Sequence, residues 1–414
     1  MLAARAQRRG RPALSYAPTA EEWAGFEASY RQLLGTHGMA QAAAAIVTSA
    51  LLSPRTLYQT ERADAQTDAA PGAGTFLLAK TEALSLARFA LTGREPEQSE
   101  LAAVSSLDPQ AFRAKLGELA ASWVSTPEFS ERALDFVAKR FGVEHLAEVD
   151  RLDPAFTPQV KLAMASEFRG HVAQTFLSPM GTFEQLFAVN PVGVFPGLES
   201  IYGAADPALY SNQRRLGVLG LSGLLAAVSG PAGSDPVKRG IMVRVELLCE
   251  AMPPPIPDAD FGKVAVTEDM QTRERFEALA AIPACESCHD VINPPGYLFE
   301  EFDQLGRYRN MEKGRPVNAV GTISPYFGAE PYPGVEVWDG IVPLARWLSQ
   351  SKEARACFAT HFASYVLTQA VPQGTQNCSL PAVTSRFVVS GRLQDLAQDL
   401  VQSELFLYRS REAL

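Results

Sequence analysis

Residues 272–309 read TRERFEALAAIPACESCHDVINPPGYLFEEFDQLGRYR, and the pattern inside this stretch governs how the whole chain is read. The spacing predicts a short helix over Thr272 to Ala281 that leads directly into Cys285-Glu286-Ser287-Cys288-His289. Two cysteines three positions apart share one face of a helical turn, so their thiols stand side by side with an imidazole next in sequence. This CxxCH spacing is the attachment sequence for haem c: the thiols reach the two vinyl groups of one porphyrin, and His289 offers its imidazole to the iron as proximal ligand. The chain holds only 5 Cys and 5 His among 414 residues, so chance produces the pattern about once in a thousand such chains. A zinc site and a thiol redox pair are the competing readings. Structural zinc takes four ligands, usually as two pairs, and Cys249, Cys357 and Cys378 form no second close pair. A redox CxxC normally opens a helix in a βαβ setting, and no alternation of strands and helices is visible. One covalent haem c is the expected cofactor.

Outward from this segment, helical periodicity dominates, and the expected fold is mainly α: multi-helical domains around the haem segment, with a small irregular or β insertion near 315–337. Thr19 and Glu22 form a capping-box pattern ahead of Trp23, Phe26, Tyr30, Leu33 and Leu34 on one helical face. Residues 63–75 have almost no large apolar side chains and read as a linker. Phe129, Ala133, Phe136, Val137 and Phe141 form a core-facing stripe on the helix after Pro127. Further helices are expected near 212–229 and 236–251, the second ending at Met252-Pro253-Pro254-Pro255, and 190–215 reads as a long connection. Near the C-terminus Phe358, Phe362, Tyr365 and Val366 give one stripe, and Leu393, Leu396, Leu400 and Val401 another.

Composition sets the outer bounds. Apolar residues make up 47% and charged residues 20%, ordinary for a soluble fold. A net charge of −9 removes the basic surface that phosphate-backbone binding needs, so no nucleic-acid partner is expected. The apolar stretches Met39–Leu52 and Leu216–Ser229 fall short of the roughly 18 residues of a spanning helix. Arg5, Arg8, Arg9 and Arg11 look like the positive flank of an export signal, but Pro12 to Pro18 stands where the apolar region belongs. No phosphate-binding glycine loop, dinucleotide fingerprint or serine-nucleophile elbow occurs.

The segment Cys285–Arg309 resembles a family of uncharacterised bacterial c-type cytochrome-like proteins, the domains of unknown function numbered 1592, 1588 and 1585. The family form is CxxCH, then Asp-Pro-x-Gly-Phe, an acidic and apolar helix, and Phe-Asp-x-x-Gly-Arg-x-Arg. Asn293-Pro294-Pro295-Gly296-Tyr297 and Phe302-Asp303-Gln304-Leu305-Gly306-Arg307-Tyr308-Arg309 occupy those places. Pro236-Val237-Lys238-Arg239-Gly240, Cys249 with the Met252–Pro257 run, and Thr272–Phe276 extend the likeness. Ser53–Tyr58 at one end and Cys357–Arg409 at the other resemble the flanking elements. The resemblance implies an N-terminal helical segment over 1–62, a 1592-like helical domain over 76–205, a 1588-like haem-binding domain over 212–310 and a 1585-like helical domain over 340–414. Two positions where many relatives carry a histidine are Leu221 and Leu279 here. Family members usually carry an export signal and often an extra haem domain, so this sequence is expected to be a mature or truncated form.

The remaining residues are assigned by chemistry. Arg307 and Arg309 suit haem propionates, with an ion pair to Asp303 or Glu301 as the alternative. Pro294, Pro295 and Gly296 are expected to turn the chain so that Tyr297 and Phe299 pack on the ring edge, with capping of the next helix as the alternative. Glu300-Glu301 reads as a solvated helix face. The sixth iron ligand is unassigned: Met252, Met270 and Met311 read as packing or surface residues, and His37, His145, His171 and His361 as structural histidines. Cys357 and Cys378 lie 21 positions apart across a polar loop, so a disulfide closing a helical hairpin is expected in an oxidising compartment, leaving Cys249 a buried thiol. The leading functional expectation is a periplasmic or secreted monohaem protein that transfers electrons to a redox partner protein. A peroxidase-like haem enzyme with an open distal site and a binding module with a vestigial CxxCH are the alternatives.

Overall fold

The computed structural model describes residues 20–52, 61, 75–191, 195–203, 213–252, 267–324, 332, 337–371 and 379–410. Among them helices dominate and the strands form small two-stranded ladders, as the mainly α expectation requires. Ser53–Tyr58, Cys378, nearly all of the 63–75 stretch and most of the proline run after Met252 lie outside the described residues. The chain divides into two units, one formed by residues up to Phe129 together with those from Ala397 onward, the other by Ser130–Leu396.

In the first unit the helices Ala20–His37 and Met39–Leu51 form a hairpin that turns at Gly38, whose φ of 79° is a left-handed conformation that a Cβ resists. Phe26, Tyr30 and Leu33 on the anticipated apolar face are half-buried, and Trp23 is exposed. The helix Gln98–Ser105 opens with a capping box between Glu97 and Glu100, and Pro109–Trp123 opens with Asp108 accepting from the amides of Gln110 and Ala111. Thr75–Leu77 pairs antiparallel with Tyr408–Ser410, which sets Phe76 opposite Arg409.

The second unit is built around aromatic rings. The sequence stripe is borne out: Phe129, Ala133, Phe136, Val137 and Phe141 are all buried. Phe358, on the helix Lys352–Leu367, gathers Phe136, Phe176, Phe183 and Phe387 at centroid separations of 5.3, 5.2, 5.6 and 5.8 Å, three of them edge-on. Burial of each such ring stabilises the unit by about 1.5–3 kcal/mol, so the four helices that supply them are held as one core.

Two helices differ from the sequence expectation. Where one was expected near 212–229, the α-helix is confined to Ser222–Ala227. Gly217 breaks the stretch, with a φ of 52° and an approach so close that a Cβ would lie 2.1 Å from the Phe187 carbonyl oxygen. The second starts as expected, with Asp235 capping Pro236–Ile241, but it widens into a π-helical turn over Met242–Leu247 and stops at Cys249 in left-handed conformation, φ 56°. The anticipated β insertion is a pair of ladders. Met311–Glu312 pairs with Arg315–Pro316 across Lys313 and Gly314, both at positive φ, and Val320–Gly321 pairs with Trp338–Asp339.

Candidate functional site

Cys285, Cys288 and His289 stand on one helix, Pro283–Tyr297. The two thiols are one turn apart, free and half-exposed. His289 is half-buried and its orientation is fixed along the helix: Nδ1 donates to Asn293 Oδ1 at 3.0 Å, and Asn293 Nδ2 donates to the Tyr297 hydroxyl at 3.2 Å. The three residues are four apart in succession, so the helix itself sets the ladder. Held through Nδ1, the ring leaves Nε2 as the nitrogen open to a metal. Burial pushes the Tyr297 phenol up to about 12, which keeps it a neutral partner at physiological pH. The Arg273 guanidinium lies over the Tyr297 ring at 4.2 Å and pairs with Glu277, clamping the helix Thr272–Ala280 to the ladder.

The helix does not turn at Pro294-Pro295-Gly296, contrary to expectation; it continues through both prolines to Tyr297. Proline at 295 removes the amide that would bond the Val291 carbonyl. That carbonyl accepts instead from Nε of Arg244, a fully buried guanidinium that also pairs with Glu250 and donates to the Ser324 carbonyl at 2.9 Å. The glycines explain the rest. A Cβ on Gly296 would lie 1.9 Å from the Pro236 carbonyl oxygen, and one on Gly240 would lie 1.8 Å from that of Ile292. The Pro236–Ile241 and Pro283–Tyr297 helices thus meet backbone to backbone, and the proline–glycine run serves close helix approach rather than chain reversal.

Beside His289 lies an open cavity of about 320 Å³. Glu277, Glu286, Asp290, Asn293, Pro294 and Tyr297 share its lining with the imidazole, so the structure places Pro294 and Tyr297 next to His289. Among the described residues that line it there is no cation, methionine or second histidine. Met311 is exposed on its hairpin strand, and Phe299 is fully buried away from the cavity. His171 is a buried structural histidine, its Nε2 3.0 Å from the Leu186 carbonyl oxygen.

Arg307 and Arg309 are not among the residues that line this cavity; the pair expected with Asp303 is made by Arg307, whereas the carboxylates at Arg309 are Glu300 and Glu312. Arg307 binds Asp303 and Asp153, while Arg309 binds Glu300, Glu312 and the Ser234 hydroxyl. Glu300-Glu301 is no solvated face: the two side chains are 1% and 7% exposed. Glu300 sits between Arg239 and Arg309, and Glu301 pairs with Arg214 at 2.8 Å. Desolvation holds both carboxyls above the ordinary range, opposed by these guanidiniums. Arg239, itself fully buried, also donates to the carbonyls of Phe299, Phe302 and Asp303, which ties down the chain just after the Pro283–Tyr297 helix.

The disulfide expectation is corrected. Cys357 bonds to Cys249, with Cα atoms 5.3 Å apart, so it is not available to Cys378, and Cys249 is no free thiol. The two partners are 108 positions apart, and only the packing of the π-helical turn on the Lys352–Leu367 helix brings them together. His361, one turn after Cys357, places Nε2 3.2 Å from Cys249 Sγ and Nδ1 3.1 Å from Arg140 Nη1.

Sequence reasoning passed over Asn293, Arg244 and Arg273 as parts of the site. Asn293 was readable as the residue one turn beyond His289 with a side chain able to accept from it; Arg244 and Arg273 act across helix contacts and leave no local signal. The donor set itself fits a haem c: two free thiols at helical spacing and an adjacent imidazole with its far nitrogen presented. Residues 215–312 match the family model PSCyt3, a protein of unknown function (DUF1588), and this span contains Cys285, Cys288, His289 and both helices that meet at Gly240 and Gly296. No curated protein and no solved structure matches the chain.

Proposed function

We propose that the chain is an extracytoplasmic monohaem c-type protein that transfers electrons. Cys285 and Cys288 would hold the group by thioether bonds and His289 would ligate the iron through Nε2; when bound, the group supplies a one-electron ferric/ferrous couple. The observation that carries the reading is the His289–Asn293–Tyr297 ladder one turn from two free thiols. A CxxCH kept only as a sequence remnant has no need of an imidazole held through Nδ1 by a helical ladder.

The protein's own residues set the rest. Asn293 donates no charge to the imidazole and so leaves it a weaker base than a carboxylate partner would. Glu277, Glu286 and Asp290 make the cavity wall acidic, which favours the oxidised, more positive state and lowers the potential. Both thiols are half-exposed, so the attachment edge faces solvent, where a partner can approach. A net charge of −9 steers a basic partner. The Cys249–Cys357 disulfide supports an oxidising compartment, which is also where haem is attached.

The test is a pyridine haemochrome assay with intact mass, on protein secreted from a host that has a haem-attachment system. One covalent haem per chain is expected, lost in the Cys285→Ser/Cys288→Ser variant, together with a reversible couple and no peroxide turnover. Bare polypeptide mass for the wild-type chain would refute the proposal. In haem-loaded protein, Asn293→Asp is expected to lower the potential, since a carboxylate makes the imidazole a stronger donor; an unchanged potential would detach the ladder from the iron.

A further inference from the structure

The Ser130–Leu396 unit contains a second, larger cavity of about 730 Å³, whose lining includes His361 and none of the residues around His289. Its volume lies in the range of small-molecule sites, roughly 300–1,000 Å³. The floor is apolar and aromatic: Phe136, Phe141 and Tyr365 line it, with Phe136 and Tyr365 in ring contact at 5.1 Å. The charged groups in the lining are Lys139, Arg140 and Lys238 against the single carboxylate of Glu246. Arg140 pairs with Glu246 and Lys238 with Asp235, so Lys139 carries the excess positive charge of this lining in a chain of net charge −9.

Arg140 is the most telling of them. It pairs with Glu246 and approaches His361, yet its Nε is buried without a hydrogen-bond partner. Burial also pushes its guanidinium down to about 10, so the charge is held in a site that under-solvates it. Lys238 is steadied by Asp235 and the Ser229 carbonyl, while Lys139 stands exposed at the mouth.

We propose that this cleft binds a small aromatic carboxylate, its ring laid among Phe136, Phe141 and Tyr365 and its anionic head turned toward Arg140 and Lys139. Aromatic walls favour a planar ring through edge and stacked contacts. A carboxylate matches a guanidinium flanked by a lysine, whereas a cationic ligand meets the like charge of Lys139. The site is independent of haem attachment.

Isothermal titration and thermal-shift measurements on the full chain, with 2-naphthoate and the matched cation 2-naphthylmethylamine as probes, test the inference. Naphthoate is expected to bind in the micromolar to low millimolar range and to raise the unfolding temperature, and the amine to bind at least tenfold more weakly. Lys139→Glu leaves the exposed rim foldable; it is expected to weaken naphthoate at least fivefold and to narrow the gap to the amine. Ser364→Trp, placed in the lining, is expected to abolish binding of both. No naphthoate binding at millimolar concentration, equal binding of the two probes, or indifference to Lys139→Glu would each overturn the proposal.

Discussion

Arg244→Met tests whether the Pro283–Tyr297 helix depends on a remote guanidinium to pass through its prolines. The substitution keeps the unbranched apolar stem and deletes three interactions: Nε to the Val291 carbonyl, the pair with Glu250 and the bond to the Ser324 carbonyl. The Arg244 side chain is 0% exposed and Glu250 10% exposed, so the pair is a buried one that loses a partner. Such losses destabilise by about 3–5 kcal/mol. Glu250 retains the Tyr332 hydroxyl as donor, which places the expectation at the lower part of that range. At a slope of about 3 kcal/mol per molar urea, the midpoint falls by about 1 M or more. Urea unfolding followed by circular dichroism and tryptophan fluorescence measures it. The reasoning has an internal control in Pro295→Ala, which restores the backbone amide that Val291 lacks. In the Arg244→Met background it is expected to recover about 1 kcal/mol more than in the wild type, the coupling of one hydrogen bond. Equal effects of Pro295→Ala in both backgrounds, or a midpoint shift under about 0.3 M for Arg244→Met, would refute the account.

Other perturbations probe the remaining joints. Gly240→Ala and Gly296→Ala each place a Cβ within 2 Å of a facing carbonyl oxygen; each is expected to destabilise by about 1–3 kcal/mol or more in urea titrations, and a neutral result would show that the two helices can part freely. Burial and the neighbouring Arg140 hold His361 well below its ordinary 6.5, at about 4. The unfolded chain therefore takes up this proton first, and stability is lost as pH falls from about 6.5 toward 4, with no contribution above that window. Thermal melts across this range, compared with His361→Asn, should show the variant losing less than the wild type; matching pH profiles would remove His361 as the cause.

Some of this was legible residue by residue. The helix before Cys285, the buried stripe of Phe136 and Phe141, and the CxxCH spacing follow from periodicities of three and four, which a sequence displays directly. The prolines misled because local rules forbid them inside a helix. Those rules describe an isolated segment, and here Arg244, 51 residues upstream of Pro295 by numbering, supplies the missing donor. Glu300 and Glu301 misled for the same reason: adjacent carboxylates read as surface until Arg214 and Arg239 from other segments, with Arg309, are packed against them.

What the chain alone determined is therefore the set of chemical groups available and the elements that carry them: two thiols and an imidazole on one helical turn, in a mainly α protein. The tertiary structure decided the pairing of Cys357 with Cys249 across 108 positions, the burial of the acidic pair and the cleft beside His361. The division has one physical cause. Helix formation and spacing are set by bonds and contacts within a few residues, whereas charge compensation, disulfide choice and cavities depend on which distant segments come to share the same volume.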